Sequence, residues 1–417
     1  MREDWKKVKF SELFNNPKKA IISGPFGSNL KSAEYQSEGV PLVRLQNVDR
    51  WKFINKNIIY ITSEKAKELS NHSYKSGDIL ISKLGAPLGK ACIAPKSSGE
   101  GIVLADIVRV RVDENSHNKD FIVYQLNSED ISAQLRSLTT GATRPRVTLK
   151  NVRELSFVRP PLPEQKQIVA ILDKAFAAID TAKTNAEQNL QNTNELFESY
   201  LQNVFENKGD DWEEKELIEV TSKIGSGATP RGGKASYKEE GISLIRSMNV
   251  HDFEFKEKNL AFIDEQQANA LSNVIIQEED VLLNITGASI ARCCIVPKEY
   301  MPARVNQHVS IIRAKKEIIN PIFLASLLTS KFFKDQILEI GEQGATRQAI
   351  TKVQLESFVI SFPKDIREQK VVIENMNTFK GECKKLEAIY TQKIADLEEM
   401  KKSVLQKAFS GQLNTIN

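Results

Sequence analysis

Apolar positions along the chain fall into two regimes, and each regime occurs twice. Between residues 21 and 163 they come in short runs punctuated by Gly and Pro, at 40–45, 58–61, 78–82, 102–112 and 155–158, which predicts β-strands. The stretches 64–71 and 120–138 instead carry apolar residues at spacings of three and four, as do 265–272 and 321–340, and predict helices. After Pro160-Pro-Leu-Pro163 the pattern turns heptad, with Ile168, Ala175, Ala182, Asn189, Leu196 and Asn203 in one row. Leu172, Ile179, Ala186, Thr193 and Tyr200 make the other row. A second heptad segment follows residue 367, where Val372, Phe379, Leu386, Lys393, Met400 and Lys407 alternate with Met376, Cys383, Tyr390, Leu397 and Val404. Neither segment contains Pro and only Gly381 interrupts, so each predicts a helix of about 40 residues, roughly 60 Å long.

The recurrence is not only of pattern. Gly39-Val-Pro-Leu-Val-Arg44 returns as Gly241-Ile-Ser-Leu-Ile-Arg246, Asp78-Ile-Leu as Asp280-Val-Leu, and Cys92-Ile-Ala-Pro95 as Cys294-Ile-Val-Pro297, each 202 residues on. Glu164-Gln-Lys166 returns as Glu368-Gln-Lys370, and Leu201-Gln-Asn-Val-Phe205 as Leu405-Gln-Lys-Ala-Phe409, 204 residues on. A period this long exceeds that of a solenoid, so the unit duplicated is a whole domain plus a helix. The expected fold is α+β: strand-rich domains over 1–163 and 207–367, with long helices over 164–206 and 368–417. Asn189, Thr193 and Lys393 make the seam too polar for an arbitrary oligomer, and an intramolecular antiparallel pair is the economical solution. Trp5-Lys-Lys-Val-Lys-Phe and Trp212-Glu-Glu-Lys-Glu-Leu open the two copies alike, which implies a pseudo-twofold, circular arrangement with the domains at opposite ends of the helices.

Composition adds less. Of the 417 residues 41% are apolar and 27% charged, no stretch approaches 18 uninterrupted apolar residues, and the charged start lacks the apolar core of a signal peptide, so a cytoplasmic address is expected. Cys92, Cys293, Cys294 and Cys383 have no C-x-x-C spacing and suit neither a disulfide framework nor a zinc site. Net charge is +4, but residues 1–163 hold 26 basic against 17 acidic residues, a net of +9. A basic first unit is compatible with nucleic acid, and equally with mere solubility.

Several loops lie at strand ends, where a scaffold presents binding groups. Gly24-Pro-Phe-Gly-Ser-Asn-Leu-Lys31 and Gly225-Ser-Gly-Ala-Thr-Pro-Arg-Gly-Gly-Lys234 combine Gly with donors suited to phosphate oxygens, and suit a plain connecting loop as well. Gly-Ala-Thr-Arg occurs at 141–144 and again at 344–347; Arg144 with Arg146, and Arg347 with Gln348, have the forks that grip a guanine or adenine edge. Surface ion pairing of the same arginines is the alternative. Lys83 and Lys90 are matched by Ile285 and Arg292, a difference suited to reading different sequences.

With these features together, the chain resembles the specificity subunit of type I restriction-modification systems over its whole length. Gly24-Pro-Phe-Gly-Ser28, Gly39-Val-Pro-Leu-Val-Arg44, Gly77-Asp-Ile-Leu80, Gly141-Ala-Thr-Arg144, Pro161-Leu-Pro-Glu-Gln-Lys166 and the segment ending Leu405-Gln-Lys-Ala-Phe-Ser-Gly411 carry the resemblance. Ser361-Phe-Pro-Lys-Asp-Ile-Arg367 departs from it as a lead-in to the second helix. The resemblance implies two target-recognition domains, each reading half of a bipartite double-stranded DNA site, and helices that act as a ruler and dock two modification subunits. It further implies adenine methylation from S-adenosylmethionine on those partners, and ATP hydrolysis with Mg on restriction or motor subunits, with no cofactor, metal or catalytic residue in this chain. Expected DNA contacts are Ser28, Lys31, Arg44, Asn47, Lys83, Lys90, Arg144 and Arg146, then Ser226, Thr229, Arg231, Lys234, Arg246, Asn249, Arg292, Gln307, Arg347 and Gln348. Expected docking positions are Ile168, Leu172, Ile179, Leu196, Tyr200, Val372, Met376, Leu386, Leu397 and Val404. The sequence holds neither an N-P-P-Y nor a Walker motif, and His308 takes the place of Asp106, which argues against a standalone nuclease or methyltransferase. A coiled-coil scaffold without DNA binding is the third reading.

Overall fold

The apolar runs of the first repeat form two small sheets rather than one. In the computed structural model, which describes residues 5–25, 29–139, 145–342 and 349–413, the run 102–112 breaks at 104–106 into strands Gly101–Val103 and Ile107–Val110. The first joins a sheet ordered Ile59–Ile61, Val40–Val43, Gly101–Val103, Ser73–Tyr74, in which Val40–Val43 and Gly101–Val103 run parallel. The second joins an antiparallel sheet ordered Ile21–Ser23, Ile107–Val110, Ile79–Ser82, Ala91–Ile93. One strand run thus feeds two sheets, and Val43, Tyr74, Leu80, Cys92, Val103 and Ile107 fill a shared core. The predicted helix 120–138 is likewise two, Lys119–Leu126 and Glu129–Ser137, because the Ser128 hydroxyl caps the second by accepting from Ile131 N.

The second repeat rebuilds this frame. Its antiparallel sheet is ordered Thr221–Ser226, Val309–Ala314, Val281–Asn284, Cys293–Ile295, and its smaller sheet Ala261–Ile263, Ile242–Ile245, Ala303–Val305. The helix predicted over 321–340 divides at Ser330 into Pro321–Thr329 and Lys331–Glu342. Each copy also opens alike: Lys6–Lys9 pairs antiparallel with Ser156–Arg159, and Trp212–Glu216 with Val359–Pro363.

Both heptad segments are single helices of 45 residues, α1 (Leu162–Glu206) and α2 (Ile366–Ser410), each about 67 Å long. Pro163 sits in the first turn of α1, where an absent N–H costs nothing. The divergent lead-in to α2 is capped by Asp365, whose carboxylate accepts from Arg367 N at 2.8 Å. The chain divides into two compact units, each holding one strand-rich domain and a part of both helices: residues 1–186 with 392–417, and residues 187–391. In the first, Ile168, Leu172 and Phe176 pack with Leu405, Ala408 and Phe409; in the second, Leu201 and Phe205 pack with Ile373 and Met376. Within the first unit Asp180 meets Lys401 and Lys183 meets Glu398, so numbers rise on one helix as they fall on the other: the pair is antiparallel.

The heptad rows need one correction. Leu196, Leu386 and Met400 were expected in the seam but are 46%, 37% and 52% exposed, and Asn189, Asn203, Lys393 and Lys407 are exposed as well, while Phe197, Glu387 and Lys401, each one residue on from the first three, turn inward. An α-helix of 3.6 residues per turn drifts about 20° per heptad from a 3.5-residue repeat, and after several heptads the buried position moves by one.

Two repeated motifs gain a structural reason. Gln165 and Gln369 are buried at the start of each long helix. Gln165 Nε2 donates to Pro160 O at 2.9 Å and its Oε1 accepts from Asn118 N at 2.9 Å; Gln369 does the same with Pro363 O at 2.8 Å and Asn320 N at 2.7 Å. Asn118 and Asn320 cap the helices Lys119–Leu126 and Pro321–Thr329, so one amide ties each long helix to its domain. Asp78 and Asp280, both buried, take a two-pronged grip from Arg111 (2.8 and 2.6 Å) and Arg313 (2.7 and 2.8 Å).

Candidate nucleic-acid interface

In the first unit the strand Ile79–Ser82 runs out into residues 83–85, which are clasped from two sides. Val147 N donates to Lys83 O at 3.0 Å and Gly85 N to Pro145 O at 3.2 Å, while Lys83 N donates to Asp106 O at 2.8 Å. The turn 104–106 and the segment 145–147 thereby converge on one corner. Lys83 Nζ donates to Ser23 Oγ at 2.6 Å, and Ser23 Oγ donates to Ala105 O at 2.9 Å. Arg146 forms an ion pair with Asp106 while its side chain stays 56% exposed. Burial pushes the Lys83 ammonium below the ordinary lysine range; Asp106 opposes the shift and Arg146 adds to it. A phosphate oxygen arriving here would find two cations, one of them already partly stripped of water.

Gly24 closes this corner, because a Cβ there would lie 2.2 Å from the Val103 carbonyl oxygen. Gly227 does so in the second unit, where Val305 O would be 1.8 Å away.

The second unit repeats the backbone and changes the chemistry. Ile350 N donates to Ile285 O at 2.9 Å and Ile285 N to His308 O at 3.0 Å, the same clasp with Ile285 in the place of Lys83 and His308 in that of Asp106. Here the polar groups form a relay. The Thr229 hydroxyl bonds Gln307 Oε1, Gln307 Nε2 donates to His308 Nε2 at 3.1 Å, and His308 Nδ1 bonds Thr286 Oγ1 at 2.6 Å. Asp106, His308 and Thr286 were not among the expected contacts. The repeat alignment pairs Asp106 with His308, and that swap at one position was the available signal.

Of the other expected contacts, Lys31, Arg231 and Lys234 are exposed, and Ser226 and Arg292 half-buried. Lys90 is paired with Asp49 at 3.0 Å. Arg44 and Arg246 donate to the carbonyls of Asn57 and Asn259, residues with positive φ, and so close a loop in each unit. Asn47 and Asn249 require correction. Both side chains are 0% exposed, accept from Arg44 N at 3.0 Å and Arg246 N at 3.2 Å, and donate to Lys56 O at 3.0 Å and Lys256 O at 2.8 Å. They hold that loop from inside and have no surface to offer a base. Ser28, Arg144, Arg347 and Gln348 lie outside the described residues.

The expected docking positions divide too. Ile168, Leu172 and Met376 are buried in the units' own cores, Ile179 is buried as well, and Tyr200, Val372 and Val404 are half-buried against those cores. Leu397 is half-buried, which leaves Leu196 and Leu386 exposed. Among the described residues no helix is long and apolar enough to cross a membrane, and no group of three or more His, Cys, Asp or Glu residues is placed to hold a metal ion.

Tandem strand-rich domains, each with a repeated loop corner and a share of two long helices, define a class of two-module α+β proteins. The type I restriction modification DNA specificity domain matches the chain twice, over residues 2–191 and 209–398, and the chain belongs to that family of specificity subunits. It is similar to the EcoBI specificity subunit of Escherichia coli, 24% identical over 74% of this chain and 68% of that one. It is also similar to the MjaVIII specificity subunit of Methanocaldococcus jannaschii, 24% identical over 82% and 80%. The HsdS subunit from Thermoanaerobacter tengcongensis shares the fold with a TM-score of 0.61 at 18% identity, over 99% of this chain and 98% of that one. A chain from a type I R-M system solved for complex assembly shares it with a TM-score of 0.72, over 99% of both.

Proposed function

We propose that each unit reads one half of a bipartite duplex DNA site, with the corner at residues 83, 106 and 146 serving the first half and the corner at 229, 286, 307 and 308 the second. The observation that carries this reading is one backbone clasp furnished with different side chains: Lys83, Asp106 and Arg146 in one unit, Thr229, Thr286, Gln307 and His308 in the other. A cationic corner suits phosphate and guanine, and an amide-hydroxyl relay suits adenine edges. Arg231, Lys234 and Lys31, all exposed, are assigned to phosphate contacts.

In this reading the long helices set the gap between half-sites and dock two modification subunits, to which Leu196 and Leu386 offer exposed apolar surface. Methyl transfer to adenine from S-adenosylmethionine, and ATP- and Mg-dependent cleavage, belong to the partner subunits, and this chain supplies no catalytic group.

Genome-wide mapping of adenine methylation in cells with and without the chain tests the proposal. The expected result is one motif of two short half-sites around a fixed gap, lost with the chain. An uninterrupted motif, or none that depends on the chain, would sink it.

A further inference from the structure

The repeat places equivalent positions of α1 and α2 204 residues apart, with no gap between Glu164 and Phe205. Under that equivalence Phe176, Asp180, Lys183, Asn194 and Phe197 of α1 correspond to Lys380, Lys384, Glu387, Glu398 and Lys401 of α2. Not one of the five pairs is alike, although the flanking motifs are.

Their contacts follow one scheme in both units. In the first, Trp51 and Phe176 pack edge to face at 5.4 Å, and Lys401 Nζ lies 4.5 Å from the Phe176 ring centre and 5.1 Å from that of Trp51. Lys401 Nζ also reaches Asp180 at 2.7 Å, and Lys183 pairs with Glu398. In the second, Phe253 and Phe197 pack edge to face at 5.7 Å, and Lys380 Nζ lies 4.2 Å from the first ring and 5.7 Å from the second. Trp51 and Phe253 are themselves repeat equivalents, both with positive φ. Each domain therefore sets one aromatic ring against an aromatic from α1 and a lysine from α2. The two positions exchange roles between units: Phe176 and Lys380 are equivalent, and so are Phe197 and Lys401.

We propose that this seam encodes the pairing of unlike helices: α1 and α2 accept each other and reject a copy of themselves. Set α2 against a second α2 in the same register, and Lys380 and Lys384 meet Lys401 while Glu387 meets Glu398, like charges at every position. Set α1 against a second α1, and Phe176 and Asp180 meet Phe197 while Lys183 meets Asn194, which forfeits both ion pairs and both cation–π contacts. A duplicated chain has two helices of one ancestry that compete for the same partner, and these ten side chains decide the competition.

The full-length chain tests this without being divided. The triple variant Phe176→Lys, Asp180→Lys, Lys183→Glu offers α2, in the first unit, the face a second α2 would offer; it should lower Tm by about 5 °C or more, or abolish folding. The double variant Glu398→Asn, Lys401→Phe offers α1 its own face and should cost less, since it brings no like charges together. Combining all five rebuilds in the first unit the set native to the second, and Tm should return to within about 2 °C of the starting chain. The proposal is overturned if the fivefold variant is no more stable than the triple, because the positions would then act independently, or if the triple variant melts with the parent.

Discussion

The loop corners of the two units differ where their backbones agree. At one, a half-buried lysine, a carboxylate and an arginine meet across more than 60 residues of chain; at the other, a threonine, an amide, an imidazole and a second threonine join in a line. The hydrogen bonds that shape the two corners, from residue 147 to 83 and from 350 to 285, are the same. Main-chain bonds are indifferent to side-chain identity, so a duplicated frame can hold its form while its chemistry diverges. The parts that must stay alike are the close approaches and the buried amides.

Substitutions that attack the shared frame should act equally in both units. Gly24→Ala and Gly227→Ala force a Cβ into a neighbouring carbonyl and should each cost about 3 kcal/mol, read as a lower Tm of the unit concerned. A much smaller cost at either position would show that its corner gives way. Next in size, Gln165→Leu and Gln369→Leu each strand buried backbone groups and should cost about 2 kcal/mol by thermal unfolding. Unequal losses would mean that the two helix starts are not equivalent.

Substitutions in the corners should separate the units. Arg146→Ala should weaken recognition of one half-site by about 1–2 kcal/mol and leave the other untouched, measured as methylation of sites mutated in either half. Thr229→Val should do the converse. If Arg146→Ala shifts both half-sites alike, the corner does not belong to one of them. The smallest effect is expected from Lys31→Ala or Lys234→Ala, a loss of about twofold in affinity with a salt dependence shallower by about one phosphate contact.

The frame was legible in the sequence because duplication writes it twice. Val40–Val43 and Ile242–Ile245, or the two 45-residue helices, are each supported by a second occurrence. What escaped were the breaks inside those patterns. The helix over 120–138 divides at the Ser128 cap, and Asn127 beside it bonds Ala91, 36 residues away, of which periodicity carries no trace. The corners were read in part. Lys83 and Arg146 stood out as cations, but their meeting depends on Asp106 and Ser23, ordinary residues until the sheets bring them together. Asn47 and Asn249 misled for the opposite reason, since a polar residue in a loop looks like a contact when its partners are backbone carbonyls.

The drifting seam of the long helices restricts how this molecule can change length. A residue added to a helix turns everything beyond it by about 100°, so seven or eleven residues turn it by only about 20°, in opposite senses, whereas five carry the buried face to the opposite side. Insertions matched in both helices are therefore tolerated at some lengths and ruinous at others. The steps that survive are roughly 10 and 16 Å, and any ruler built from this pair is graduated in those marks rather than continuously.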